Sequence, residues 1–260
     1  MSNAMVTLVT GASSGIGREI ARLAAQEKRD LLLIARREER LRELKEELET
    51  TYAVEVYYYA ADLSDPEAPQ KIYDYLSQRG LRVEHLINNA GFGHYGLFHE
   101  QELARNTNMI QLNVTALVAL TRLLLPDMVA RGEGRILNVA STAGMLPGPL
   151  QAIYYSTKAF VVSFSQAIAH ELRDTGVTST VLCPGPVKTE FAESADLEGA
   201  ELFRFAATPE RVAKVGRTGM LRGKLVVSEA PAMLFLLRFV LPVIPRRLML
   251  ALSRKSQQKQ

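Results

Sequence analysis

From Val6 to Leu182, short apolar runs alternate with stretches of helical periodicity, and almost nothing separates them. That alternation restricts the fold more than any other feature, because each run must find its neighbour across a helix-length crossover. Val6–Thr10 has strand length and leads to Gly15–Gln26, where Ile16, Ile20, Leu23 and Ala24 share one helical face. Leu31–Ala35 is apolar without interruption, the pattern of a parallel strand covered on both sides. Arg37–Thr50 is a charged helix with a stripe of Leu41, Leu44 and Leu48, and Val54–Ala60 is a third strand. Asp65-Pro66 predicts a helix start by N-cap and first-turn preferences. His85–Asn88 is the fourth strand, a long helix runs through Asn113 to about Ala130, and Ile136–Val139 is the fifth. The helix bearing Tyr154 and Lys158 extends to Asp174 and is stopped by Gly176. Thr178–Leu182 is a sixth strand and Lys224–Val227 a seventh. The fold class is therefore α/β: a doubly wound parallel sheet with helices on both faces, which binds ligands at the carboxyl ends of its strands.

The chain of 260 residues is long enough for one such domain, and 23% charged with 47% hydrophobic residues is a globular balance. We expect a single dinucleotide-binding and catalytic domain over 5–230 and an apolar, basic extension over 231–260. The opening Met1-Ser2-Asn3-Ala4 reads as an expression remnant before Met5 and is set aside; no signal peptide is expected, since Val6–Thr10 has strand length and meets glycine at once. Residues 231–260 hold six Lys/Arg and no acid, so the other 230 residues carry a net −3 against the +3 of the whole chain. No nucleic-acid-binding face is expected in that body. The single cysteine, Cys183, lies in an apolar strand and fits a reducing, cytoplasmic compartment. Four histidines without ligand spacing predict no metal site.

Two patterns carry chemistry. Gly11, Gly15 and Gly17 stand between the first strand and the first helix, where a sharp turn must admit a pyrophosphate to the backbone. Ser13, Ser14 and Ile16 complete the turn, and the helix N-terminus offers free N–H groups to phosphate. Tyr154 and Lys158 are i, i+4 on one helix, so they share a face. A phenol has a pKa of about 10, and a neighbouring ammonium lowers it by roughly one to three units. Such a Tyr-x-x-x-Lys pair arises about 0.3 times by chance in a chain of this make-up, so it needs support. Ser141, thirteen residues before Tyr154, supplies it by following the fifth strand, which we expect beside the strand leading to the glycine turn. Its hydroxyl can hold a substrate oxygen and stabilise charge there, with Thr142 the rival.

This order and spacing resemble the short-chain dehydrogenase/reductase family from about Val6 to Thr189, which implies a Rossmann-like sheet of about seven strands. The resemblance implies that Tyr154 is the proton donor, that Lys158 also holds the nicotinamide ribose, and that Asn113 supports a water-linked proton path to that lysine. It places Arg36 at the position that separates the two nicotinamide cofactors. A carboxylate there would repel a 2′-phosphate, whereas Arg36 and Arg37 can pair with it, so NADP(H) is expected. Asp62 and Leu63 are implied at the adenine, and Asn88 with Asn89, Ala90 and Gly91 at a turn that lines the cofactor and steadies the sheet. Pro184, Gly185, Val187 and Thr189 are implied along the nicotinamide.

Substrate choice is expected from Ala143–Ile153, Gly91–Leu97 and Glu190–Thr208. The last holds Phe191, Leu197, Leu202, Phe203 and Phe205, as either an amphipathic lid or a self-packed surface loop. Its apolar residues point to an apolar carbonyl compound. The apolar run Ala232–Leu241 is too short to cross a membrane. It folds back over the pocket, enters a dimer interface or lies on an anionic membrane surface. The expectation is a soluble NADP(H)-dependent oxidoreductase interconverting a ketone or aldehyde and its alcohol, as a homo-oligomer with a dimer favoured. A non-catalytic NADP(H) sensor and a membrane-associated lipid-ketone reductase are the alternatives.

Overall fold

The computed structural model describes residues 4–197 and 206–257. Its seven strands are β1 (Ala4–Thr10), β2 (Asp30–Ala35), β3 (Val56–Ala60), β4 (Leu81–Asn88), β5 (Gly134–Val139), β6 (Val177–Leu182) and β7 (Val226–Val227). They pair in parallel in the order β3-β2-β1-β4-β5-β6-β7. The order reverses between β1 and β4, and such a switch point opens a crevice at the strand ends.

The run in β2 shows why the sheet has two covered faces. Leu31 and Leu33 enter one core with helices α1 (Gly15–Gln26), α2 (Glu38–Tyr52) and α8 (Pro209–Leu221), through Ile20, Leu41 and Val212. Leu32 and Ile34 point the other way, into a core with Ile72 of α3 (Ala68–Gln78), Leu120 of α5 (Leu117–Arg131) and Ile168 of α6 (Ala152–Glu171). Successive strand side chains alternate faces, so an apolar run without gaps needs both.

Four expectations change. Ala4 and Met5, set aside or placed ahead of the first strand, pair with Leu81 and Arg82, so β1 and β4 both start earlier. The third helix begins at Ala68 rather than at Asp65, because the Asp65 carboxylate accepts the Glu67 N–H (3.0 Å) in a local turn. Helix α6 ends at Glu171 and a tight turn carries the chain to Gly176 at φ +77°. Finally, β4 lies between β5 and β1, so the strand bearing Ser141 is not adjacent to the one that leads into the glycine turn.

The long helix through Asn113 has three parts: α4 (Leu103–Ile110), a π-helical turn at Gln111–Ala116, and α5. By length and apolar composition it could cross a membrane, yet Leu117, Leu120, Leu124 and Met128 are buried in the cores. One face of it packs into the cores, while Leu103, Ile110 and Val129 stay exposed.

Candidate active site

A cleft of about 440 Å³ runs across the strand ends. Of the residues singled out for cofactor binding and catalysis, all but Gly17, Asn88 and Asn113 line it. Gly11 and Gly15 take the left-handed conformation at φ +66° and +53°, which a side chain strains to adopt. Gly17 stands behind the turn, where a Cβ would come within 2.4 Å of the Gly11 carbonyl oxygen. Asn89 locks the turn from β4: its Nδ2 donates to Thr10 O (2.9 Å) and Gly11 O (3.3 Å). Thr10 Oγ1 accepts the N–H groups of Asn89 and Ala90 (2.9 and 3.0 Å) and donates to Ile87 O. Asn88 is not among the cleft residues; its Nδ2 donates to Thr121 Oγ1 and Asn138 Oδ1, tying the sheet to α5.

Ser141 caps the short turn Thr142–Met145, with its Oγ accepting the Ala143 N–H (3.1 Å) and donating to Pro184 O (3.4 Å). Its hydroxyl also acts on the Tyr154 phenol, favouring the charged form. Thr142 lines the cleft too, but among the described residues it is the Ser141 hydroxyl that acts on the phenol. Lys158 Nζ lies 5.9 Å from the centre of the Tyr154 ring and donates to Val139 O (2.8 Å). The ammonium therefore faces the ring, while its hydrogen bond goes to the end of β5.

The electrostatics differ from a simple ammonium-acidified phenol. Burial pushes the Tyr154 phenol well above its ordinary range, and the Ser141 hydroxyl opposes this only in part. Burial also lowers Lys158 to about 8, because a cation loses water there. Beside them burial raises the Cys183 thiol to about 12, which leaves it protonated and unreactive.

Asn113 sits in the π-helical turn, where an extra residue per turn rotates its amide toward the neighbouring loop. Its Oδ1 accepts the Phe92 N–H (3.1 Å), and its Nδ2 donates to Phe92 O (3.0 Å) and Thr157 Oγ1 (3.0 Å). Thr157 in turn donates to Tyr154 O (2.7 Å). The asparagine thus fastens the Gly91–Phe92 loop to the helix that carries the tyrosine. A Cβ at Gly91 would meet Asn113 Oδ1 at 3.0 Å and Lys158 Nζ at 3.3 Å, so both polar groups reach this bend.

At the far end, Arg36 lines the cleft and has no ion pair among the described residues. Arg37 donates to Ser13 Oγ (3.1 Å) and pairs with Glu190 (2.8 Å). Asp62 Oδ1 accepts from the N–H and hydroxyl of Ser64 (2.9 and 2.7 Å). Phe191, of the short helix α7 (Phe191–Ser194), packs on Tyr154 with ring centres 5.2 Å apart. Leu197 is buried, while Leu202, Phe203 and Phe205 lie outside the described residues. Phe92, Gln151 and Glu190, which fall in the segments expected to govern substrate choice, also line the cleft, as does Tyr155, which no sequence motif marked. The signal for Tyr155 is its place next to Tyr154.

The C-terminal segment packs against the substrate side. Its helices α9 (Pro231–Phe235) and α10 (Arg246–Ser256) follow β7. Glu229 Oε1 accepts the Gly185 N–H (2.8 Å), and Gln257 Oε1 accepts from Gln151 Nε2 (2.9 Å) in a buried pair. Phe235, Phe239 and Val243 remain exposed.

The residues present fit a phosphate-bearing dinucleotide. The turn forms a cradle that side chains would fill, and α1 begins with no side-chain cap and no acid in its first turn. No group of three or more His, Cys, Asp or Glu that could hold a metal occurs among the described residues.

A family profile described as short chain dehydrogenase matches residues 5–199. The very-long-chain 3-oxoacyl-CoA reductase-A of Danio rerio is 39% identical over 190 residues, 72% of this chain and 59% of that protein. The chain thus spans under two thirds of the length of that relative. Sulfoacetaldehyde reductase 2 of Chromohalobacter salexigens is 39% identical over 188 residues, 72% of this chain and 74% of that protein. Among solved structures, a short-chain dehydrogenase from Sphingobium yanoikuyae in complex with NADPH is similar at a TM-score of 0.80 and 32% identity, covering 86% of this chain and 87% of that one.

Proposed function

The chain belongs to the short chain dehydrogenase family, and on that premise we propose that it is an NADP(H)-dependent oxidoreductase interconverting a ketone or aldehyde and its alcohol. The observation that carries this reading is the convergence of Ser141, Tyr154 and Lys158 at one end of a cleft whose other end holds Arg36 and Arg37. The structural neighbour with NADPH and the relatives named as a 3-oxoacyl-CoA reductase and a sulfoacetaldehyde reductase support it.

In this reading the turn Gly11–Gly17 and the start of α1 hold the pyrophosphate. Arg36, Arg37 and Ser13 take the 2′-phosphate through charge-assisted bonds. Asp62 and Leu63 border the adenine, Asn89, Ala90 and Gly91 border the ribose side, and Pro184, Gly185, Val187 and Thr189 border the nicotinamide. When bound, the nicotinamide supplies or accepts a hydride.

The chain's own residues handle the proton. Ser141 Oγ holds the substrate oxygen, and Tyr154 Oη donates its proton to it in reduction and recovers it in oxidation. Burial keeps that phenol protonated at neutral pH, the state a donor needs. Lys158 provides positive charge over the phenol ring while still protonated, and so stabilises a developing phenolate. Asn113 is a positioning residue, because it sets α6 against the Gly91 loop. Phe92, Phe191 and Leu197 give the substrate end an apolar lining, which favours an apolar carbonyl compound.

The proposal extends to assembly: 5–230 forms the catalytic domain, 231–260 braces its substrate side, and the protein works as a cytoplasmic homodimer. The exposed Phe235, Phe239 and Val243 support a second contact surface, and the nearby Arg238, Arg246 and Arg247 give an anionic membrane as the competing partner. Light scattering and flotation with anionic vesicles, on the full chain and one ending at Glu229, separate the two. Equal recovery of both chains with the soluble fraction sinks membrane contact; a monomer at all concentrations sinks the dimer.

The activity is tested by following NADPH oxidation against a panel of apolar ketones and aldehydes. Turnover with at least one compound is expected. Tight NADPH binding with no turnover across the panel would instead indicate a sensor.

A further inference from the structure

Glu190 has no part in the reaction above, yet it occupies a telling position. It follows Thr189 at the end of the loop after β6 and reaches the start of α2 across the cleft. Its Oε2 pairs with Arg37 NH1 (2.8 Å) and its Oε1 with Arg40 NH1 (3.0 Å). The same Arg37 holds Ser13 of the glycine turn through NH2 (3.1 Å). Glu190, Arg37 and Ser13 all line the cleft. A carboxylate therefore sits on a guanidinium beside the phosphate-binding turn.

Glu190 also begins the segment that covers the tyrosine. Phe191, the next residue, packs on the Tyr154 ring. The other end of this segment is held by Arg105, which donates to Ser194 O (3.0 Å) and pairs with Asp196 (3.4 Å), and by His94, 3.2 Å from Asp196. The segment is thus tied at both ends by side-chain contacts, and one tie uses a cation assigned to the cofactor.

We propose that Glu190 is an internal competitor of the cofactor's 2′-phosphate: it holds Arg37 and Arg40 until NADP(H) displaces it, and so makes release of the segment over Tyr154 depend on that phosphate. This rests on the NADP(H) reading above. Burial works against the Glu190 charge, but Arg37 and then Arg40 keep its carboxyl below the ordinary range, so it is an anion at neutral pH. Both partners are partly exposed, and exposed ion pairs are weak enough for a phosphate with more charge and more acceptors to replace. NAD(H) lacks the phosphate and cannot make that exchange. Glu190 is then a specificity-determining residue that acts by repelling one ligand group and guarding its cation.

The test uses the full chain and its Glu190→Gln variant. Calorimetric titration should show the variant binding NADPH about fivefold or more tighter, with NADH changed by less than about twofold. Without cofactor, backbone amides of 191–197 should exchange hydrogen faster in the variant, and saturating NADPH should abolish the difference. Equal or weaker NADPH binding by the variant, or identical exchange in the free proteins, overturns the proposal while leaving the NADP(H) reading intact. A wild type that binds no NADPH overturns both. Arg40→Gln, which removes one tie but no residue assigned to the cofactor, should reproduce the faster exchange.

Discussion

The inner wall of the cleft and its outer rim are built from different interactions. On the inner wall, Thr10, Asn89, Ser141 and Lys158 bond to backbone groups at or just beyond strand ends, and Thr10 and Lys158 are buried. On the rim, Arg37 and Arg40 pair with Glu190, and Arg105 with Asp196, through partly exposed side chains. Leaving a buried polar group without its partner costs about 1–3 kcal/mol, whereas an exposed ion pair contributes about 0–1 kcal/mol. The wall can therefore hold a proton donor in place while the rim rearranges at small cost. Rigid chemistry and adjustable access are separated along one cleft.

The strongest challenge to this contrast is Tyr154→Phe, which keeps the ring against Phe191 and removes only the hydroxyl. It should lower kcat/KM for carbonyl reduction by about 10²–10⁴ and leave NADPH affinity nearly unchanged in a binding titration. A loss of affinity matching the loss of rate would make the residue structural. Next comes Asn89→Ala, which removes both bonds to the Thr10 and Gly11 carbonyls. It should destabilise the fold by about 2 kcal/mol in urea unfolding and weaken NADPH binding.

A pH series sharpens the role of Lys158. Its folded pKa is lowered from 10.5 to about 8, so the folded protein loses this proton first as pH rises. Reduction should therefore fall as pH passes through about 8. The unfolded chain keeps the proton to its ordinary value, so between about 8 and 10.5 this residue's contribution to stability rises with pH. Opposite trends in a rate profile and a melting series are expected, and a rate flat to pH 10 would contradict the assignment. The smallest effect belongs to the rim: Asp196→Ala should change stability by less than about 1 kcal/mol in the same urea assay. A larger loss would mean that the rim is no softer than the wall.

How much of this could be read in the sequence follows from how far each interaction reaches along the chain. The Leu31–Ala35 run announced a two-sided sheet, and the three glycines announced the turn, because both signals are local. The Tyr154–Lys158 face is equally local, set by helical spacing. Asn113 was found by resemblance, but its π-helical turn depends on packing against Phe92 and Thr157, which no periodicity encodes. The start of α3 was misplaced because Asp65 closes a turn of its own before the helix. The Glu190 pairs join residues up to 150 or more positions apart, so nothing near Arg37 or Arg40 in the chain reveals them. The phenol's environment was misjudged for a related reason: spacing places an ammonium nearby, but only the folded core shows that burial dominates both groups.

The most direct measurement is transfer of label from NADPH carrying deuterium at the reactive ring carbon to an accepted ketone, with the alcohol product analysed by mass spectrometry. One deuterium on the carbinol carbon, formed by the wild type and reduced to a trace with Tyr154→Phe, is the predicted result. Cofactor oxidation with no label in the alcohol, or equal labelling by the variant, would contradict a hydroxyl-bearing Tyr154 as the proton donor of a carbonyl reductase.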